Sequence, residues 1–276
     1  MTPIEKIHTF ARRYCMERSA DLHQERDRAK QQNSYEEYSA LSARMDIMAA
    51  ILIGVERLKP EEFCSRQIAA WRLVEVGQIT PIRRMHQWKL RRPEDVQSMQ
   101  DERARFVEAV RQFAAQKEWK RWSVEPLPFR RTLLEEESVG LMALLREQWS
   151  ITKRYWLPFE KYDLPYEALV FDSAAIRDVF TIEALRVILS DHGVERLYGL
   201  GDGSSVPNRE LALGLWNPYN GLGDETYWLS KQGDWLFYTT HENSTTVAGD
   251  WLLKAIKSAW PTWNDHLWVA PYEKQN

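Results

Sequence analysis

Apolar side chains recur at helical spacing through the first part of the chain. Tyr38, Leu41, Met45, Met48, Leu52 and Val55 follow the three-and-four pattern that lines one side of an α-helix. The stretch before them opens with Thr2-Pro-Ile-Glu5, an N-cap Thr, a Pro at the first helical position and a Glu at the third. That arrangement satisfies the free N–H groups of a helix start and predicts a helix from Pro3 to about Lys30. Ser34-Tyr-Glu-Glu37 repeats the signal. Two helices in series with a very polar junction, Asp21 to Gln32, predict an antiparallel hairpin with a solvated tip. The helical pattern continues from Pro60 through Val76, breaks at Gly77 and Pro81, and resumes from Pro93 to about Trp122 with Phe106, Val110 and Phe113 on one face. A further helix is expected from Leu133 to about Tyr155, carrying Leu141, Leu144, Leu145 and Gln148.

After Pro165 the period shortens. Ala168 to Phe171, Arg196 to Leu200, Leu211 to Trp216, Thr226 to Leu229 and Trp235 to Tyr238 are short apolar runs that predict strands, and Lys231-Gln-Gly-Asp234 joins the last two as a hairpin loop. Thr181 is suited to cap a helix through Leu189 that closes on Gly193, and a last helix runs from Gly249 to about Trp260 before Pro261. The expected class is α+β: a helical N-terminal half, a hairpin plus further helices, followed by a small, mainly antiparallel sheet covered on one face by the C-terminal helix. The expected organisation is a helical region over 1–125, a helix with Pro-containing connectors over 126–164, and an antiparallel module over 165–276. The Pro-rich Ser123 to Phe129 is one candidate boundary and Leu157 to Pro165 the other.

Composition changes this picture little. A hydrophobic fraction of 44% in 276 residues is ordinary for a chain with a buried core. The start has no unbroken apolar signal segment, and no run approaches the roughly 18 apolar residues of a membrane span, so the expectation is a soluble cytoplasmic protein with no membrane partner. Cys15 and Cys64 have no disulfide or metal spacing and are expected to be small packing residues. Charge is uneven. Residues 1–150 carry 26 Lys/Arg against 23 Asp/Glu, whereas residues 151–276 carry 11 against 17.

Candidate chemistry concentrates in the last third. His241-Glu242, ringed by Thr239, Thr240, Ser244 and Thr245, pairs an imidazole with a carboxylate and is the expected acid–base site if the protein is an enzyme. It lacks the second His, four residues on, of a helical zinc motif, and a polar loop leaving a strand would have the same composition. Gly199-Leu-Gly-Asp-Gly203 resembles an anion-cradling loop but has no Lys-Ser/Thr ending, and a tight turn explains it. Asp202, Glu210, Asp224 and Glu225 place further carboxylates near turns. Arg83, Arg84, Lys89, Arg91 and Arg92 alternate with aromatic residues, as does Lys117 to Trp122, a pattern that could contact phosphates and bases or form a solvated helix face. Of 13 Trp, nine fall in residues 149–276. A small sheet module cannot easily bury so many, so Trp216, Trp228 and Trp235, with Asp224, Glu225, His241 and Glu242, are the expected binding surface.

These features order three function classes. The first is a non-catalytic protein-binding module whose acidic, Trp-rich C-terminal surface engages another protein, such as a basic toxin or enzyme that it inhibits in the manner of an immunity protein or antitoxin. The second is a hydrolase with His241 as base and Glu242, Asp202 or Glu225 as the supporting carboxylate, and the third a nucleic-acid-associated factor using Arg83 to Arg92. Neither cofactor nor metal is implied. The Met-containing hairpin, through Met45 and Met48, also offers a homodimer interface.

Overall fold

The structure, a computed structural model, describes residues 1–82, 92–117, 123–151, 156, 164, 166–201, 207–220 and 225–269. The fold is α+β, and the chain divides into two compact units, Met1–Leu127 and Pro128–Asn276, with the division inside the Pro-rich connector.

The first unit consists of α1 (Pro3–Gln31), α2 (Tyr35–Arg57), α3 (Arg66–Ile79) and α4 (Pro93–Ala115). At the start of α1 the Glu5 N–H donates to the Thr2 hydroxyl at 3.2 Å, and the Thr2 N–H donates to the Glu5 carboxylate at 2.6 Å. Both halves of the capping box are therefore formed. The Ser34 hydroxyl, by contrast, makes no capping bond to α2. The helices converge on a core of Ile7, Cys15, Leu22, Ile47, Met48, Ile51, Val55, Leu73, Phe106 and Val110. α2 is long and apolar enough to cross a membrane, contrary to the expectation that no segment approaches that length; its buried positions, Leu41 to Val55, face the core of this unit.

Gly77 and Cys64 depart from what the sequence led one to expect. Gly77 does not break α3 but lies within it, because a Cβ there would come within 2.8 Å of Phe106 Cδ1 and Val107 Cγ2. Glycine is what lets α3 and α4 approach so closely. Met48 is fully buried and Met45 packs against the same core. Cys15 is a buried packing residue whose thiol burial pushes well above its ordinary pKa, but Cys64 is exposed.

The second unit comprises β1 (Arg130–Thr132), α5 (Glu135–Trp149), β2 (Ala168–Asp172), α6 (Ser173–Val179), α7 (Ile182–Asp191), β3 (Arg196–Gly201), β4 (Arg209–Ala212), β5 (Thr226–Leu229), β6 (Leu236–Thr239), β7 (Ser244–Ala248) and α8 (Asp250–Ala259). Its seven strands form one sheet in the order β1-β4-β3-β5-β6-β7-β2, and every neighbouring pair is antiparallel. The helix predicted after Thr181 begins as expected, with the Thr181 hydroxyl accepting from the Ala184 N–H at 3.2 Å. Gly193 follows it with φ of 77°. Leu211 to Trp216 is only partly a strand, since β4 ends at Ala212 and Leu213–Leu215 turns as a short 3₁₀ segment.

The sheet is covered on both faces, not one. One face carries Leu197, Leu211, Trp228, Phe237 and Val247 against Ile176, Leu185, Leu189, Leu253 and Ile256 of α6, α7 and α8. The other carries Leu200, Tyr227, Leu229, Leu236 and Tyr238 against Leu145 and Trp149 of α5 and Trp156. Two apolar faces explain why the strands read as unbroken apolar runs: Thr226 to Leu229 is buried at all four positions.

Candidate functional site

The antiparallel register of β5 and β6 pairs Thr226 with Thr239 at one end of the sheet and Leu229 with Leu236 at the other. Each end builds a different constellation.

At the first end, Glu225 immediately precedes β5, and residues 240–243 turn from β6 into β7. The turn is held by the Thr240 N–H donating to the Ser244 carbonyl at 3.1 Å and the Glu242 N–H donating to the Thr240 hydroxyl at 3.1 Å, with Asn243 at φ of 59°. It sets His241 beside Glu225: Nδ1 lies 2.7 Å from Glu225 Oε1. The carboxylate is almost wholly buried while the His241 side chain is 63% exposed. Tyr238 fixes the other carboxylate oxygen, its hydroxyl donating to Glu225 Oε2. The same hydroxyl accepts from the Trp156 N–H at 3.2 Å, which leaves its own proton for Glu225. Burial, the neighbouring Tyr227 and the bond to Glu225 together push the Tyr238 phenol well above its ordinary pKa, so it stays a donor. Tyr227 stacks on Tyr238 with ring centroids 4.3 Å apart.

Of the carboxylates expected to support His241, Glu225 is the one that pairs with it, while Glu242 is exposed. The strand register was the available signal. With Leu229 opposite Leu236, Glu225 falls opposite Thr240, the residue before His241.

At the opposite end lies a cavity of about 730 Å³ between the α7–β3 turn, the β5–β6 hairpin loop and the start of α8. Its lining includes His192, Glu195, Arg196, Glu210, Lys231, Asp234 and Trp251. The His192 ring stacks on Trp251 at 4.3 Å. Asp234 is held by the Trp251 indole N–H at 3.3 Å and by the Ser230 hydroxyl. Glu210 accepts from Arg131 at 2.8 Å and lies 3.8 Å from Arg196, whose guanidinium also covers the Phe129 ring at 3.7 Å. Of these groups only Glu210 was a candidate for chemistry in the sequence, with Lys231 and Asp234 read as a hairpin loop; they come from separate turns that the sheet topology brings together.

The expected Trp surface does not exist in the predicted form. Trp216, Trp228 and Trp235 are 1%, 2% and 1% exposed. They are core residues of the sheet face under α6, α7 and α8, where Trp216 meets Trp228 edge-on at 6.4 Å. A sheet with two covered faces has room for more aromatic side chains than the one-faced sheet expected from the sequence. Asp202 and Asp224 lie outside the described residues, as do Arg83, Arg84, Lys89 and Arg91. Arg92 is described and is engaged within its own unit, donating to Asp95 at 3.1 Å and to the Glu36 carbonyl at 3.2 Å. Among the described residues no group of three or more His, Cys, Asp or Glu could hold a metal ion.

No family model, no curated protein and no solved structure matches this chain.

Proposed function

We propose that the chain is a cytoplasmic protein-binding protein whose second unit engages a basic protein partner, occluding it as an inhibitor of the immunity-protein kind would. The observation that carries this reading is the open cavity at the hairpin end of the sheet, where Glu195, Glu210 and Asp234 outnumber Arg196 and Lys231 around the Trp251–His192 stack. Its size falls in the range of pockets that take up a ligand group or an anchoring side chain. The surrounding charge supports the same partner. Residues 128–276 carry 14 Lys/Arg against 21 Asp/Glu, while residues 1–127 carry 23 against 19. A net negative unit attracts a basic surface over about a Debye length and raises the rate of encounter.

The binding surface proposed is thus not the buried Trp216, Trp228 and Trp235 but the recess around Asp234 and Trp251. The test is capture of partners from the native host by wild-type protein and by Glu195→Lys and Asp234→Asn variants. The reading expects one stoichiometric basic protein, released by salt and lost in the variants while their thermal melts stay two-state. Capture that ignores both substitutions and salt overturns it.

A further inference from the structure

We infer that the opposite end of the sheet is a proton-transfer site in which His241 is the general base and Glu225 and Tyr238 are positioning residues. The inference stands on its own geometry and holds whether or not the recess around Asp234 binds a protein.

A carboxylate that is 3% exposed is costly to bury unless its oxygens are satisfied. Here one oxygen receives the Tyr238 hydroxyl and the other receives His241. An ionised carboxylate only accepts, so a neutral His241 facing it carries its proton on Nδ1. Nε2 then holds the lone pair, and among the described residues Nε2 makes no hydrogen bond. With the ring 63% exposed, that lone pair is open to solvent. A surface imidazole free to rotate would divide its proton between both nitrogens. This one is oriented by a buried anion, which is the relation between base and orienting carboxylate that proton-abstracting sites use.

An exposed, oriented base of this kind can activate water, and the simplest reaction that reads this step is hydrolysis of a small carboxylic ester. His241 Nε2 takes a proton from water as the water oxygen bonds to the carbonyl carbon. The bond from that carbon to the leaving oxygen breaks, and the proton passes from Nε2 to the leaving group. The products are a carboxylic acid and an alcohol or phenol, and His241 returns to its Nδ1–H form. Glu225 stabilises the transient imidazolium and itself keeps no proton.

Two measurements test the site. The first is the ¹⁵N chemical shifts of the His241 ring in the wild-type chain at neutral pH, which should report the Nδ1–H form. In Glu225→Gln the preference should disappear. The second is hydrolysis of p-nitrophenyl acetate. His241→Ala and Glu225→Gln should each lower the rate, His241→Ala by about a hundredfold or more, the scale of a positioned base, while His23→Ala, which removes a similarly exposed imidazole from α1, should leave it unchanged. His241 lies in an exposed turn, so its removal tests the chemistry without loss of the fold. A wild-type His241 protonated on Nε2, or a hydrolysis rate indifferent to His241→Ala, overturns the inference.

Discussion

The Arg44 guanidinium donates to Glu102 from 2.7 Å, and the Glu102 side chain has no exposed surface at all. Arg18 donates to the same carboxylate at 2.8 Å and Arg105 at 3.0 Å, so one buried anion from α4 gathers cations from α1, α2 and its own helix. Burial alone would favour the neutral acid. Hydrogen bonds and charge from Arg18 and Arg44 outweigh it and hold the Glu102 carboxyl below its usual value. Replacing Glu102 with Gln keeps the shape and removes the charge those arginines face. The expected loss is about 3 kcal/mol, because breaking a buried ion cluster strands its remaining charges. Urea denaturation of the first unit's helical signal measures it.

His8 supplies a pH dependence. Its Nε2 lies 2.9 Å from the Val55 carbonyl, and burial lowers its pKa from 6.5 to about 4. The unfolded chain therefore binds a proton in a range where the folded chain does not. The stability associated with neutral His8 is complete above pH 6.5 and is lost as pH falls toward 4. At about 1.4 kcal/mol for each pKa unit, the full effect is on the order of 3 kcal/mol. Denaturation midpoints at pH 7 and pH 4.5 should differ more for the wild type than for His8→Gln, which keeps a donor for Val55 and cannot titrate.

Gly77→Ala should destabilise the first unit by about 1–3 kcal/mol through overpacking. The added methyl would meet Phe106 and Val107 at 2.8 Å, and both of those are core side chains with little room to retreat. A paired Phe106→Leu change should recover part of the loss, which a thermal melt of the double variant would show.

Gly233→Ala should weaken both the second unit and the acidic recess. Gly233 adopts φ of 71°, and a Cβ there would strike the Gln148 side chain and come within 2.9 Å of Leu144 Cδ2. Its carbonyl also accepts the buried Trp149 indole N–H at 2.9 Å. The substitution combines backbone strain with a clash, an expected cost of about 1–3 kcal/mol. Because Ser230 to Asp234 lie in the same hairpin loop, binding of a basic partner should fall with stability. Trp fluorescence during urea denaturation reports the first effect and partner capture the second.

Sequence reasoning reached the elements whose signals are local. Thr2 and Thr181 announced helix starts through hydroxyl caps, and both caps are formed. β5 and β6 were legible because their hairpin is short. The segments that escaped detection depend on distant partners. β1 is three residues long and is defined by its pairing with Arg209 to Leu211 of β4, some eighty residues away in sequence. β7 is Ser-Thr-Thr-Val-Ala, too polar to announce a buried strand, yet all five residues are buried between β6 and β2. That hidden strand also disguised the site: the segment around His241 looked like a loop leaving the sheet, whereas it is a turn returning into it. The Trp residues misled for a related reason, since a count of aromatic side chains does not reveal that the sheet has two faces to cover.

The order of the strands also bears on how the chain comes into being. Every contact inside Met1–Leu127 is available once that segment has been made, so the helical unit can settle while the rest is still being translated. The sheet cannot. Ala168 must wait for Ala248, and Phe171 bridges to Leu267. On the ribosome, β2 therefore remains an open template until β7 has been made, and a nascent chain stalled after Tyr238 would expose the apolar face that β7 and α8 close.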